Sequence, residues 1–252
     1  MYASHLFPSS RDVALPGYGL PSEGSILESL FAARPNETLA AGEVAFWEGD
    51  VASHVYRVSE GCLRLYRILP DGRRAIMGFV FEGEIVGISC QGTYRYTAEA
   101  VTPARLRRLD RRRLQALAAG AEHLQTFLLG RMFEEMSAAQ QHIIVLGQLG
   151  AEERVAHFLM SAACRTGADQ KRPVVIDLPM TRQDIADYLG LTMETVCRIV
   201  SKFKRHGLIA LEGRYKVVLR RIGDLRELAG GFDDGEPSVE RGMARRAAAW
   251  AH

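Results

Sequence analysis

The stretch LPMTRQDIADYLGLTMETVCRIVSKFKRHGLIALEGRYKVVL, from Leu178 to Leu219, decides the fold of the C-terminal half. Thr181 is followed three positions later by Asp184, the spacing of a capping box. In such a box a hydroxyl satisfies a free N–H of the first helical turn, and the acidic side chain reaches back to the cap. A helix is predicted from there, with Ile185 and Leu189 as its apolar contacts. Gly190 supplies a tight turn, Leu191 is placed to lock two helices together, and Thr192 can cap the second. In that second helix Val196, Ile199, Val200 and Phe203 form a burying face, whereas Glu194, Cys197, Arg198 and Lys202 fall opposite it or on its edge. Gly207 ends it. Two short helices so joined, spanning Thr181 to Arg205, meet the geometric requirement for setting a recognition helix in a DNA major groove.

The exposed residue types point the same way. Arg198 offers a planar fork matching guanine O6 and N7, and Glu194, one helical turn earlier, can accept from the N4 amino group of cytosine. The same pair can also form a solvated salt bridge, and the two roles can coexist. Cys197 lies between them, either in contact with a thymine methyl or as a partly buried spacer. A thiol exposed in the absence of DNA would make it a redox candidate, because oxidation or alkylation there would obstruct the groove-facing surface. Thr181, Arg182, Thr192, Lys202, Lys204, Arg205, Arg214 and Lys216 are candidates for the DNA backbone, with His206, Arg220 and Arg221 extending the basic character. Such residues give salt-dependent affinity and positioning, and any one of them can equally belong to a simple solvated face.

Upstream the periodicity changes. Between Glu43 and Glu99 short segments such as VAFWEG, HVYRVSEG, LRLYRI, AIMGFV and EIVGI are punctuated by Gly49-Asp50, Glu60-Gly61, Asp71-Gly72 and Glu82-Gly83. Evenly spaced short strands with no room for helical crossovers predict a sandwich or rolled barrel, with Asp71-Gly72 as the clearest hairpin turn. A short helix is predicted over Ser25–Ala33, stopped at Pro35, and another over Arg111–Ala119. The longest helical pattern runs from Ala121 to about Leu146. One of its sides can pack on the strands, leaving a second apolar stripe that a symmetric partner would cover. Leu124, Phe127, Leu128, Met132, Met136 and Ile143 are the residues expected in that dimerisation contact. The organisation read from these patterns is an irregular arm (1–23), a strand-rich domain (24–120), the long helix (121–147), a helical DNA-binding domain (148–230) and an extension (231–252).

Composition narrows the function classes. A chain of 252 residues with 47% hydrophobic content can bury a sizeable core, and a formal net charge of +2 neither requires nor excludes nucleic acid. The four cysteines, Cys62, Cys90, Cys164 and Cys197, are widely separated and have no metal-ligand spacing. The N-terminus has no apolar core of the secretory kind and no run of about 18 apolar residues occurs, so a cytoplasmic protein with reduced thiols and no membrane anchor is expected. Of seven histidines only His54 falls inside the main strand-rich run, which argues against a catalytic metal and against an enzyme.

Leu178 to Gly230 resembles the C-terminal domain of the CRP/FNR superfamily of bacterial transcription regulators, and TRQDIADYLGLTMETVCRIVSKF is especially similar to its FNR and FixK branch. The resemblance extends through Gly42-Glu43, Glu48-Gly49-Asp50, the Tyr56-to-Arg64 segment, Asp71-Gly72-Arg73 and the Gly83-to-Gly87 segment, covering about residues 25 to 230. It implies an α+β chain: an N-terminal double-stranded β-helix (a cyclic-nucleotide-binding-like jelly roll), a long dimerisation helix and a C-terminal winged helix-turn-helix. It further implies a homodimer on a palindrome resembling TTGAT-N4-ATCAA, contact with RNA polymerase, and activation of genes for microaerobic or anaerobic respiration or nitrogen metabolism. The family motif E-x-x-S-R falls on Glu194, Cys197 and Arg198; Glu and Arg carry over as base readers, and Cys stands where Ser is usual, as is common in FixK-like members. Members that bind cyclic AMP carry G-E-L followed by R-S or R-T, whereas this chain has Gly87-Ile88 and Arg95-Tyr96. Oxygen-sensing FNR proteins hold an iron–sulfur cluster on N-terminal cysteines, and no cysteine precedes Cys62. The expectation is a regulator without a cofactor; the alternative is an effector-gated one that binds a cyclic nucleotide, haem or another small molecule.

Overall fold

Alternation of apolar and polar residues between Asn36 and Asp110 produces eight strands in the computed structural model, which describes residues 29–32, 34–89, 92–166 and 173–230. They are β1 (Asn36–Leu39), β2 (Val44–Phe46), β3 (His54–Glu60), β4 (Cys62–Ile68), β5 (Arg74–Phe81), β6 (Ile85–Val86), β7 (Thr97–Ala100) and β8 (Ala104–Asp110). Helices α1 (Arg111–Ala119), α2 (Glu122–Gln148) and α3 (Ala151–Arg165) follow, then β9 (Val174–Asp177), α4 (Arg182–Leu189), α5 (Met193–Arg205), β10 (Ile209–Glu212), β11 (Lys216–Leu219) and α6 (Ile222–Leu228). The irregular arm, the C-terminal extension, Cys90 and most of the polar loop after Arg165 lie outside the described residues. Of the helix expected over Ser25–Ala33, residues 29–31 are described and are helical.

The chain divides into two compact units: the strand-rich region through Arg131 together with Leu178–Val196, and Met132–Asp177 together with the chain from Cys197 onward. In the first unit two antiparallel sheets, ordered β1-β8-β3-β6 and β2-β7-β4-β5, form a roll. The inward members of each alternation make its core: Phe46, Tyr56, Val58, Leu63, Val80, Val86, Ala98, Ala100, Ala104 and Leu106. The β4–β5 hairpin turns at Asp71-Gly72 as predicted, with the Gly72 N–H donating to Leu69 O at 2.9 Å and Gly72 at φ 83°. Gly61, between β3 and β4, is required for a second reason. Its φ is 92°, and a Cβ there would lie 2.5 Å from the Pro103 carbonyl oxygen, so only the bare backbone fits.

Helix α1 starts at Asp110, whose carboxylate accepts from the Arg113 N–H at 2.9 Å. Leu114 from α1 and Leu124 and Phe127 from α2 close a second apolar cluster with Phe31, Val55 and Leu109, and Leu128 packs against it. This narrows the sequence expectation for the long helix. Leu124 and Phe127 are buried by their own chain and Leu128 is partly buried against the same cluster, because the first turns of α2 lie against the roll. Beyond them Met132, Met136 and Ile143 are exposed, and Leu129, Phe133 and Ile144, which the sequence reading did not assign to that contact, are exposed with them.

The break between α2 and α3 falls at Leu149-Gly150. Arg154 reaches back to the end of α2, donating to Leu146 O at 2.7 Å and to Leu149 O at 2.9 Å, and so satisfies carbonyls the helix leaves open. In the second unit α3 packs against α6 and β9, burying Val155, Ala156, Phe158, Leu159 and Ala163. A three-stranded antiparallel sheet ordered β10-β11-β9 completes it. β9 was not read from the sequence: it is four residues long, and its pairing with β11, from Lys216 against Asp177 to Leu219 against Val174, spans about forty residues of chain. Among the described residues no helix is long and apolar enough to cross a membrane.

Candidate DNA-reading surface

The capping box at the start of α4 forms as predicted. Thr181 Oγ1 accepts from the Asp184 N–H at 3.1 Å, and Asp184 Oδ2 accepts from the Thr181 N–H at 2.9 Å and from its hydroxyl at 2.7 Å. Gly190 ends the helix in the left-handed conformation, φ 62° and ψ 38°, which lets the Leu191 N–H turn back to Ala186 O at 3.0 Å. Thr192 then caps α5, its Oγ1 accepting from the Thr195 N–H at 3.2 Å. Two helices are thus joined by three residues, each with a threonine hydroxyl accepting from its first turn.

Helix α5 is strongly two-faced. Val196, Ile199, Val200 and Phe203 are all buried, which anchors the helix along its length. Glu194, Cys197 and Arg198 are exposed on the remaining surface. Among the described residues Glu194 and Arg198 are not ion-paired, to each other or to any other group. The salt-bridge alternative is therefore not what this structure contains; both side chains present free hydrogen-bonding ends one helical turn apart. Cys197 is a free, exposed thiol.

The basic residues separate into two groups. Lys204 and Arg205 are exposed at the end of α5, and Arg214 and Lys216 are exposed at the β10–β11 turn, where the Arg214 guanidinium lies 5.2 Å from the Tyr215 ring centroid. Thr181 and Thr192 are exposed at the two caps, and Arg182 is half-buried. Lys202 differs: its Nζ is held by both oxygens of Glu152 on α3, at 2.6 and 2.8 Å, so it is committed to an ion pair within the protein. No local pattern signals this contact, because fifty residues separate the partners.

The interior of the roll is occupied by its own aromatic side chains. Phe46 stacks on Tyr94 with ring centroids 3.8 Å apart and on Tyr56 at 5.6 Å, and Tyr96 closes on Phe46 at 5.9 Å. The Tyr94 hydroxyl donates to His54 O at 2.8 Å and accepts from the His54 N–H at 3.2 Å. Burial, foremost, raises the ionisation of both Tyr56 and Tyr94 above the ordinary phenol range. Arg95 is exposed.

A recognition helix anchored by four buried residues, with an unpaired acid and base at its free surface, is the working part of a DNA-binding transcription regulator. Residues 36–121 match the cyclic nucleotide-binding domain family and residues 153–228 the Crp-like helix-turn-helix domain family. The chain is 38% identical over 172 residues to the nitrogen fixation regulation protein FixK of Bradyrhizobium diazoefficiens, covering 68% of this chain and 73% of that one. It is 39% identical to FixK of Rhizobium meliloti, over 76% of this chain and 85% of that one. It is 36% identical to the transcriptional activator FnrL of Cereibacter sphaeroides, over 77% and 80%. The solved structure of FixK2 from Bradyrhizobium japonicum superposes with a TM-score of 0.73 at 33% identity, over 78% of this chain and 97% of that one. The protein belongs to the CRP/FNR family of bacterial transcription regulators.

Proposed function

We propose that this regulator binds, as a homodimer, a palindrome resembling TTGAT-N4-ATCAA, and activates genes of microaerobic or anaerobic respiration or of nitrogen metabolism through contact with RNA polymerase. The observation that carries the reading is the unpaired Glu194 and Arg198 at the exposed surface of α5. Arg198 reads guanine and Glu194 cytosine, while Thr181, Arg182, Thr192, Lys204, Arg205, Arg214 and Lys216 engage phosphates and fix the register. Lys202 joins them only by leaving Glu152. The target genes rest on the relatives, which include nitrogen fixation regulators and transcriptional activators. The protein acts in the cytoplasm, is not an enzyme and carries no cofactor.

The homodimer is supported by the exposed apolar run Met132, Met136 and Ile143, continued by Leu129, Phe133 and Ile144, since an apolar stripe of this length on a helix is stabilised by a second copy. Exposure of Cys197 between the two base readers supports modulation by oxidation. The effector-gated reading is favoured by the match of residues 36–121 to cyclic nucleotide-binding domains, and opposed by the Phe46, Tyr56, Tyr94 and Tyr96 cluster inside the roll.

The test is binding of reduced, ligand-free protein to a duplex carrying the palindrome and to a scrambled duplex at one physiological salt concentration. Selective binding supports direct reading without an effector. Equal affinity for both duplexes overturns it.

A further inference from the structure

Asp184 does two things at once. Its Oδ2 closes the capping box of α4, and its Oδ1, on a residue with no exposed surface, accepts from Arg64 Nη1 at 3.1 Å and from Arg74 Nη2 at 2.7 Å. Arg64 and Arg74 come from β4 and β5 of the roll, more than a hundred residues earlier in the chain. Three positions further along α4, Asp187 Oδ2 takes the remaining edge of the Arg74 fork, from Nε at 2.9 Å and Nη2 at 2.8 Å. Arg64 is held from its other side by Glu99 of β7. Next to Asp187 the buried ring of Tyr188 packs against Phe79 of β5, centroids 5.7 Å apart. One face of α4 is therefore fastened to the roll by two arginines, three carboxylates and an aromatic pair.

The chemistry of this fastening is directional. Buried ion pairs add little net stability relative to well-packed apolar groups, so stability alone does not account for two arginines in this place. An apolar contact can slide by an ångström at small cost, whereas a guanidinium held between two carboxylates fixes distance and angle together. α4 leads into α5 through only Gly190, Leu191 and Thr192, so whatever orients α4 orients the start of the recognition helix.

We propose that Arg64 and Arg74 are positioning residues for DNA reading, which hold α4, and through it the base-reading start of α5, in the orientation that selective binding requires. The inference rests on the assignment of α5 as the DNA-reading helix. It extends that reading by naming what takes the place of a bound effector: within one compact unit, the roll orients α4 and the first turn of α5 through an internal ion-pair clamp.

The experiment is a double-mutant cycle on the Arg74–Asp187 pair, using Arg74→Gln, Asp187→Asn and the double variant in the full-length protein, none of which sets a negative charge against Asp184. Affinity for the palindromic duplex is divided by affinity for a scrambled duplex at fixed salt, which cancels the removed charge. Each single variant lowers that ratio by about tenfold or more, and the double variant loses no more than about threefold beyond the worse single, because both singles break the same contact. Arg74→Lys, which keeps the charge but not the fork, serves should Arg74→Gln fail to fold, and it lowers the ratio in the same direction. A ratio unchanged in folded single variants, a ratio that rises, or losses that add in full in the double variant overturn the clamp. A wild-type protein without selectivity instead removes the DNA-reading assignment itself, and the clamp's role with it.

Discussion

Thr181 and Asp184 hold each other at the start of α4: the Asp184 N–H donates to Thr181 Oγ1 at 3.1 Å while the Thr181 N–H donates to Asp184 Oδ2 at 2.9 Å. Replacing Thr181 by Ala removes one cap acceptor and one donor to a buried carboxylate. A loss of about 1 kcal/mol in unfolding free energy is expected, with Thr181→Ser close to wild type. Urea denaturation measures it, and a Thr181→Ala protein as stable as wild type would mean that the arginines alone hold α4.

Arg198 and Lys204 are both exposed cations on α5, and they are expected to fail differently. Arg198→Ala should cost about 1–3 kcal/mol on the palindromic duplex and much less on a scrambled one, relaxing selectivity at one base position. Lys204→Ala should weaken both duplexes alike and reduce the salt slope by about one counterion. Titrations at several salt concentrations separate the two patterns; equal losses on both duplexes for Arg198→Ala would argue against base reading.

On α2, Met136 is 49% exposed and Leu124 only 4%. Met136→Lys should shift the protein towards monomer in sedimentation velocity with little loss of monomer stability. Leu124→Ala should leave the association state alone but destabilise the fold by about 2–5 kcal/mol, because it opens a cavity under the roll. Sedimentation of Met136→Lys indistinguishable from wild type would place the interface elsewhere.

Gly61→Ala brings a Cβ to 2.5 Å from Pro103 O at a φ of 92°. Gly72→Ala meets nothing within 4 Å at a similar φ of 83°. The second carries only the backbone strain, about 1 kcal/mol, and the first adds a clash with rigid backbone and should be clearly worse. Similar melting temperatures for the two variants would contradict this.

Burial raises the ionisation of Tyr56 and Tyr188 above that of an unfolded tyrosine. For groups raised in this way the protonated form is the one the fold holds. Their contribution is fully present below about pH 10, the unfolded phenol value, and is lost as pH rises above it. Stability should therefore be insensitive to these groups between pH 7 and about 10 and decline beyond, and Tyr188→Phe should soften the alkaline decline. A Tyr188→Phe protein with the wild-type pH profile would show that the decline has another source.

Much of this architecture was legible beforehand because it depends on neighbours in the chain. The capping box at Thr181 and Asp184, the left-handed Gly190, the Asp71-Gly72 hairpin and the burying face of Val196, Ile199, Val200 and Phe203 all arise within a few residues of backbone. What local pattern did not show shares the opposite property. Leu124, Phe127 and Leu128 sit on the same periodic pattern as Met132 and Met136, and only the position of the roll decides which apolar residues are covered. Lys202 carries the same charge as Lys204 and Arg205, and only the approach of Glu152 ties it down. β9 has no signal beyond four residues and exists through its pairing with β11.

The sequence by itself determined that two capped helices would meet at a tight turn, that Glu194, Cys197 and Arg198 would share the outer surface of the second, and that a strand-rich roll would precede a long helix. Side-chain periodicity and cap chemistry are local, and they act before any tertiary contact forms. Only the tertiary structure decided that aromatic rings would fill the roll, and that Arg64 and Arg74 would converge on Asp184 and Asp187 across more than a hundred residues of chain. Nothing in a linear pattern marks an arginine as destined for a distant carboxylate; the pairing exists because the fold buries Asp184, which could not remain there as a lone charge, beside both arginines.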